Sequence, residues 1–311
     1  MSTPSVPSTP AVAPGSVAAW AVACRLPSLL VAISPVVVGT AFAWQRTGRI
    51  DALLAALALA AAVLLQVISN LQNDVGYTTR GAERRGNRTG LPRATANGWL
   101  TVAQVRRAIW VCALLTVACG LPLIAARGWP VLAMGLGSLV AAVAYMGGPR
   151  PIAYTPFGEV VVFVFFGVIA VVGSDYLLTG EIGTATWLAA VALGALAAAA
   201  LAVNNHRDIE HDASVGRRTF AVVFGSAVSQ AMYGLSVVGA FALLLPIAWL
   251  LGSPWPLAPL ALLPKALRLR RDFIGCAPGL PFNRILVRTF KLELAYAALL
   301  AAGVVAARLA G

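Results

Sequence analysis

Two short stretches hold most of the groups that could do chemistry in this chain of 311 residues. One reads Ser69-Asn70-Leu71-Gln72-Asn73-Asp74 and runs on through Arg80 to Glu83. The other reads Asn204-Asn205-His206-Arg207-Asp208-Ile209-Glu210-His211-Asp212. Both contain Asn-x-x-x-Asp, as Asn70 with Asp74 and Asn204 with Asp208, and Asp212 extends the second to a third position. Residues four apart share one helix face, so each series would aim its oxygens in one direction. Two such faces opposed at the mouth of a helix bundle would gather carboxylates that repel one another unless a cation lay between them. An all-oxygen donor set selects a hard cation, and Mg²⁺ suits a site that also takes phosphate. Nearby, Arg80, Arg84, Arg85, Arg88, Arg93, Arg207, Arg217 and Arg218 supply donors for phosphate oxygens. The plainer reading, two solvated charged loops, does not account for a spacing repeated 134 residues apart. His206 and His211 fall inside the second block and are read as hydrogen-bonding or solvent-facing side chains rather than ligands.

The elements that must position these blocks follow from hydropathy. The chain has 23 basic and 11 acidic residues, 11% charged, against 59% hydrophobic; soluble domains average about 25% charged. Cut at its charged and Pro/Gly-rich stretches, it leaves apolar segments near 26–44, 52–72, 108–126, 129–146, 158–178, 184–203, 228–251, 254–267 and 289–308. Most reach the roughly 20 residues that cross about 30 Å of hydrocarbon as a helix. Ala and Leu dominate without alternation, so helices rather than a barrel satisfy the backbone. The expected fold is all-α, a polytopic bundle of about nine membrane helices in two four-helix-type halves, each carrying one Asp-rich block. The eighth segment, with Pro254, Pro256, Pro259 and Pro264, is the least regular. Residues 1–20 are expected to form a disordered tail without the basic region of a secretory signal, and 21–311 a single domain. Cys24, Cys112, Cys119 and Cys276 lack metal-site spacing and are read as small hydrophobes.

Where the positive charge sits fixes a topology. Loops after the even-numbered segments, counted with Lys265 and Lys291 at their edges, hold 18 of the 23 basic residues, and loops after the odd-numbered ones hold 3. By the positive-inside rule the N-terminus and both Asp-rich blocks are expected on the cytoplasmic side and the C-terminus outside; the expected location is a bacterial inner membrane. The net charge of +12 then reflects topology and attraction to anionic lipid or substrate, with no soluble domain left to bind nucleic acid. Carboxylates and arginines together at a membrane surface point to a metal-bound diphosphate whose remainder is hydrophobic.

With these blocks after the second and sixth of nine helices, the chain resembles the UbiA superfamily of intramembrane aromatic prenyltransferases. Several stretches are similar to its 1,4-dihydroxy-2-naphthoate branch, which serves menaquinone synthesis. They include Arg25-Leu26-Pro27, Ile33-Ser34-Pro35-Val36-Val37-Val38-Gly39-Thr40, Gly90-Leu91-Pro92-Arg93, and Ala144-Tyr145-Met146-Gly147-Gly148-Pro149-Arg150-Pro151-Ile152-Ala153-Tyr154. Others are Gly158-Glu159, Phe165-Phe166-Gly167, and the second block continued through Gly216-Arg217-Arg218-Thr219. One departure stands out: the family's first motif carries a further Asp three or four residues beyond Asp74, where this chain has Tyr77 and Thr78, with Glu83 the next acid.

The resemblance implies Mg²⁺-dependent transfer of a polyprenyl group from polyprenyl diphosphate to 1,4-dihydroxy-2-naphthoate, giving demethylmenaquinone, diphosphate and CO₂. It places metal ligation at Asp74, Asp208 and Asp212, with Asn70 and Asn204 completing or orienting the coordination and Glu83 as a replacement acid. Diphosphate binding falls to Arg80, Arg207 and Arg217, then to Arg93 and Arg150, with Arg218 and Tyr154 beside them. Tyr145 offers its ring face to the allylic cation, or else anchors the interface as belt tyrosines do. Arg25 pairs with the acceptor carboxylate or marks the inner interface. A different acceptor, 4-hydroxybenzoate, homogentisate or a hydroxyquinoline, fits the same chemistry. A cation-coupled transporter would place its carboxylates at mid-membrane in inverted repeats, whereas both blocks here lie on one face.

Overall fold

The structure is a computed structural model and describes residues 12–82 and 90–310. Every regular element among them is helical. The chain begins with α1 (Val17–Cys24), whose first turn Ser16 caps by accepting from Ala19 N at 3.2 Å, inside the stretch expected to be a tail. It continues through α2 (Leu29–Thr47), α3 (Ala52–Thr79), α4 (Val102–Arg127) and α5 (Trp129–Ala144). Then α6 (Gly158–Val162), a π-helical stretch Phe163–Val172 and α7 (Gly173–Thr179) make one continuous span. The second half holds α8 (Thr184–Arg207), α9 (Ile209–Ser214), α10 (Phe220–Ala242), α11 (Leu244–Leu250), α12 (Leu263–Gly275) and α13 (Phe282–Leu309).

Local chemistry sets several of these boundaries. Asp51 accepts from Leu54 N to start α3, and Thr101 with Gln104 forms a reciprocal capping box at α4. Gly48 at φ 69° ends α2 in the left-handed conformation that a side chain would resist. Seven of the nine expected segments lie in helices long and apolar enough to cross a membrane, and the chain is an integral multi-pass membrane protein. The segment at 129–146 is the shorter apolar helix α5. The proline-rich one is a 3-10 helix, Trp255–Leu262, running into α12, because prolines lack the N–H that α-helical bonding needs.

The largest core surrounds α8, whose alanines Ala189, Ala190, Ala192, Ala197 and Ala199 are all but fully buried and let neighbouring backbones approach closely. A Cβ on Gly167 would stand 2.5 Å from Ala190 O, and one on Gly194 would stand 2.7 Å from Phe163 O, so the π-helical stretch rests on α8 through facing glycines. A second core joins α1, α3 and α4 through Ala19, Ile68, Leu71, Val105 and Ile109. The two cores leave a cavity between them. At the membrane face away from the Asp-rich blocks, buried Asp175 accepts from Arg46 Nη2 and Thr186 Oγ1, each at 2.6 Å, tying α2, α7 and α8 together.

Candidate active site

The cavity encloses about 960 Å³. Its polar end is lined by Arg25, Ser28, Gln66, Ser69, Asn70, Asn73 and Asn204, with Tyr145 beside them. Below, the walls turn apolar: Val31, Val36 and Leu65 on one side, Leu286 and Phe290 of α13 on the other. The span containing the π-helical stretch contributes the adjacent pairs Val161/Val162, Phe165/Phe166, Ile169/Ala170 and Gly173/Ser174, a repeat of four residues. Leu121, Leu132 and Leu136 also line the cavity and are largely exposed, so it reaches the lipid-facing surface between α4 and α5. A polar mouth leading to an apolar channel open at the side suits an amphiphile with a long hydrocarbon tail.

In the first block Asn70 faces the cavity and donates from Nδ2 to Cys24 O and Ser28 Oγ, each at 2.9 Å. Asp74 does not line the cavity. Its Oδ2 accepts from Ala94 N at 2.9 Å, and its Oδ1 accepts from Thr95 N at 2.8 Å and Thr95 Oγ1 at 2.5 Å, all buried. The carboxylate therefore pins the segment after α3 back onto that helix. Tyr77, one turn on, is buried with its ring under the Arg93 guanidinium at 3.9 Å, and its hydroxyl accepts from Arg217 Nη1. Glu83 lies outside the described residues.

The second block solves the same problem differently. At the end of α8, Asp208 leaves helical geometry (φ −99°, ψ 14°), which lets Arg207 reach across its own peptide: Nε donates to Oδ1 at 2.9 Å and Nη2 to Oδ2 at 2.7 Å. Arg207 Nη1 also donates to Asn283 Oδ1. Asp212, fully buried on α9, accepts from Arg217 Nη1 at 2.6 Å, while Arg217 Nε donates to Ala153 O at 3.0 Å. Arg217 thus links Asp212, Tyr77 of the first block and the loop before α6. Asn204 lines the cavity, and Asn205 donates to Glu159 Oε1 at 2.8 Å. His206 is buried rather than solvent-facing, stacked near Phe273 and Phe282 with Nδ1 at 3.2 Å from Ser229 Oγ.

The structure brings the expected residues into two neighbouring groups. Arg25, Asn70, Asn204 and Tyr145 line the cavity, whereas Arg93, Tyr154, Asp212 and Arg217 gather around Tyr77, and Asp74, one turn before it on α3, bonds to Ala94 and Thr95. Arg80 donates to Gly148 O and lies 5.3 Å over the Tyr154 ring. Burial pushes the Tyr154 phenol up despite Arg217 nearby, so it stays a neutral donor. Arg150 and Arg218 are exposed at the edge of this group. Sequence reasoning passed over Gln66, Asn73, Tyr77 and Glu159 as site residues. Gln66, Asn70 and Asn73 follow a four-and-three spacing on α3 that marks a single polar face, a signal available in advance.

The expected crowd of bare carboxylates is absent from the described residues, where no three of His, Cys, Asp and Glu converge as a metal cage. The fit to a hard dication is divided. In the second block, Asp208 and Asp212 offer oxygen donors whose present partners are arginines, Asn204 adds an amide oxygen at the cavity, and arginines are also diphosphate ligands. In the first block, the Asp74 oxygens are taken by backbone and hydroxyl donors, and Tyr77 stands where the resemblance calls for an acid.

Residues 32–274 match the UbiA prenyltransferase family. Over 228 residues, 71% of this chain and 73% of the relative, the sequence is 36% identical to the 1,4-dihydroxy-2-naphthoate octaprenyltransferase of Escherichia coli strain K12. It is 35% identical to the Mycobacterium tuberculosis protein of the same name over 256 residues, covering 81% and 85%. The fold is shared with a UbiA homolog from Archaeoglobus fulgidus solved with GPP and Mg²⁺, at a TM-score of 0.66 and 17% identity over 93% of this chain and 99% of that one. An apo UbiA homolog from Aeropyrum pernix superposes with a TM-score of 0.67 at 17% identity, covering 89% and 97%. By sequence over most of its length, with a matching fold, this chain belongs to the UbiA prenyltransferase family.

Proposed function

We propose that the protein transfers a polyprenyl group from polyprenyl diphosphate to 1,4-dihydroxy-2-naphthoate, releasing diphosphate and CO₂ and yielding the hydroquinone demethylmenaquinol, the reduced form of demethylmenaquinone. The observation that carries this reading is the cavity, whose Arg- and amide-lined mouth opens into an apolar channel reaching lipid between α4 and α5. The naphthoate acceptor is supported by relatives of that name at 36% and 35% identity. In the reaction the allylic C–O bond breaks, a ring carbon takes the allylic carbon, and the acceptor's carboxyl group leaves as CO₂.

The residue roles are part of the same proposal. Arg217, Arg93, Arg80 and Arg207 hold the diphosphate, with Arg150 and Arg218 at the entrance. Arg25, in the cavity wall, faces the acceptor carboxylate. Tyr145 turns its ring toward the allylic carbon, and the apolar walls keep water from it. Asp208 and Asp212 with Asn204 would hold Mg²⁺, which when bound would supply positive charge against the leaving diphosphate. Asn70 orients the mouth through Ser28 and the α1 terminus, while Asp74 and Tyr154 shape the loops around it. Both blocks are assigned to the cytoplasmic face of a bacterial inner membrane.

Purified protein supplied with Mg²⁺, a polyprenyl diphosphate and a panel of aromatic acceptors should form a prenylated, decarboxylated product with 1,4-dihydroxy-2-naphthoate. Product with 4-hydroxybenzoate or homogentisate instead would reassign the acceptor, and none with any acceptor would end the enzymatic reading.

A further inference from the structure

A second recess lies on the far side of α13 from the cavity. It is a notch of about 290 Å³ between α12 and α13, and four cations converge on it: Lys265, Arg268, Arg288 and Lys291. All four are exposed. From residue 263 to 291 the chain carries seven basic residues and a single acid, Asp272, which pairs with Arg288 at 2.5 Å. That leaves most of the positive charge around the notch uncompensated by the protein. Leu286 and Phe290 face the reaction cavity, while Arg288 and Lys291 project from the opposite side of the same helix, so the charge is not serving the diphosphate site.

The layout of the notch is amphiphilic along the membrane normal. Asn283 marks the block-bearing face through its bond to Arg207, and α13 descends from there. The cations come first, and Leu292 and Ala295 follow deeper, opposite Leu262 at the head of α12. A phosphate at the cations would leave its acyl chains lying along that apolar strip, in register with the surrounding leaflet. Snorkelling alone would spread such side chains around the helices rather than converge them on one recess.

We infer that the notch between α12 and α13 is a binding site for the phosphate headgroup of an anionic membrane phospholipid. Each phosphate-facing cation near a membrane surface strengthens such an interaction by about fivefold. The site does not depend on which aromatic acceptor the protein uses.

The test uses the full-length protein in detergent, titrated with phosphatidylglycerol, phosphatidylcholine and inorganic phosphate and read by native mass spectrometry. Phosphatidylglycerol should be retained over phosphatidylcholine by at least about tenfold, with inorganic phosphate not competing at equal concentration. The triple variant Lys265→Gln, Arg268→Gln, Lys291→Gln should lose that preference. The control Arg271→Gln, Arg284→Gln, two basic residues outside the notch, should keep it. Should the triple variant fail to fold, Lys291→Gln alone is expected to weaken retention by about fivefold. Four results would overturn the assignment: an undiminished preference in the variants, equal loss in the control, equal displacement by inorganic phosphate, or displacement by a polyprenyl diphosphate.

Discussion

The two Asp-rich blocks share a spacing and differ in how their negative charge is answered. Asp74 is held by neutral donors, the N–H groups of Ala94 and Thr95 and one hydroxyl. Asp208 and Asp212 are held by guanidinium groups. Neutral donors fix a carboxylate in place without cancelling its charge, and no side chain can be removed to free it. A guanidinium cancels the charge and is exchangeable, because another cation can take the carboxylate while the arginine turns to an anion. One block is therefore built as a tether and the other as a switchable pair, although their sequences look alike.

The largest effect expected from this contrast is on turnover. Asp212→Asn should lower it by about a thousandfold through lost electrostatic stabilisation, and kcat measured at saturating Mg²⁺ reads this directly. Near-normal kcat would place the exchangeable charge elsewhere. Next comes stability. Asp74→Asn should cost about 3 kcal/mol, since an amide NH₂ would face backbone donors that need an acceptor, and a thermal melt should fall by several degrees. If instead the melting temperature holds and the Mg²⁺ requirement rises, Asp74 is a ligand and the contrast collapses.

Rescue sharpens the same comparison. Adding Arg217→Gln to Asp212→Asn removes the stranded buried cation and should recover about 1–2 kcal/mol of the stability lost by the single change, while activity stays low. No side-chain substitution should rescue Asp74→Asn in that way. A double-mutant cycle on melting temperatures distinguishes the two. Smaller still, Tyr77→Phe should cost about 1 kcal/mol by deleting the hydroxyl that accepts from Arg217. Thr95→Val, which leaves both backbone donors to Asp74 intact, should cost the least, about 0.5–1 kcal/mol. A Thr95→Val loss as large as that of Asp74→Asn would mean the hydroxyl, not the backbone, holds the tether.

Much of this was legible in the sequence because its causes are local. Runs of Ala and Leu near twenty residues declare spans, and Asn and Asp four apart declare a shared face whatever surrounds them. What the spacing does not carry is who answers each charge. The donors to Asp74 are main-chain groups about twenty residues on, and a backbone N–H leaves no mark in a side-chain pattern. The Arg207–Asp208 pair is visible as adjacent letters, but adjacent residues on a continuing helix point apart, and only the break at Asp208 lets them meet. Tyr77 reads as a missing acid; its bond to Arg217 spans 140 residues of sequence. The burial of His206 depends on Phe273 and Phe282 of two later helices.

The π-helical stretch Phe163–Val172 carries a further consequence, for which changes of length the chain tolerates. An α-helix turns about 100° per residue, so positions four apart drift by about 40° each time. The wider turn lets the pairs at 161/162, 165/166, 169/170 and 173/174 stay on the cavity wall over the full depth of the span. Deleting one residue at unchanged winding would rotate everything after it by roughly a quarter turn. Asp175 would swing away from Arg46 and Thr186, unfastening the opposite membrane face from a change made at the cavity. Along this wall the number of residues matters as much as their identity, and a gap in the chain here reaches further than a change of one apolar side chain for another.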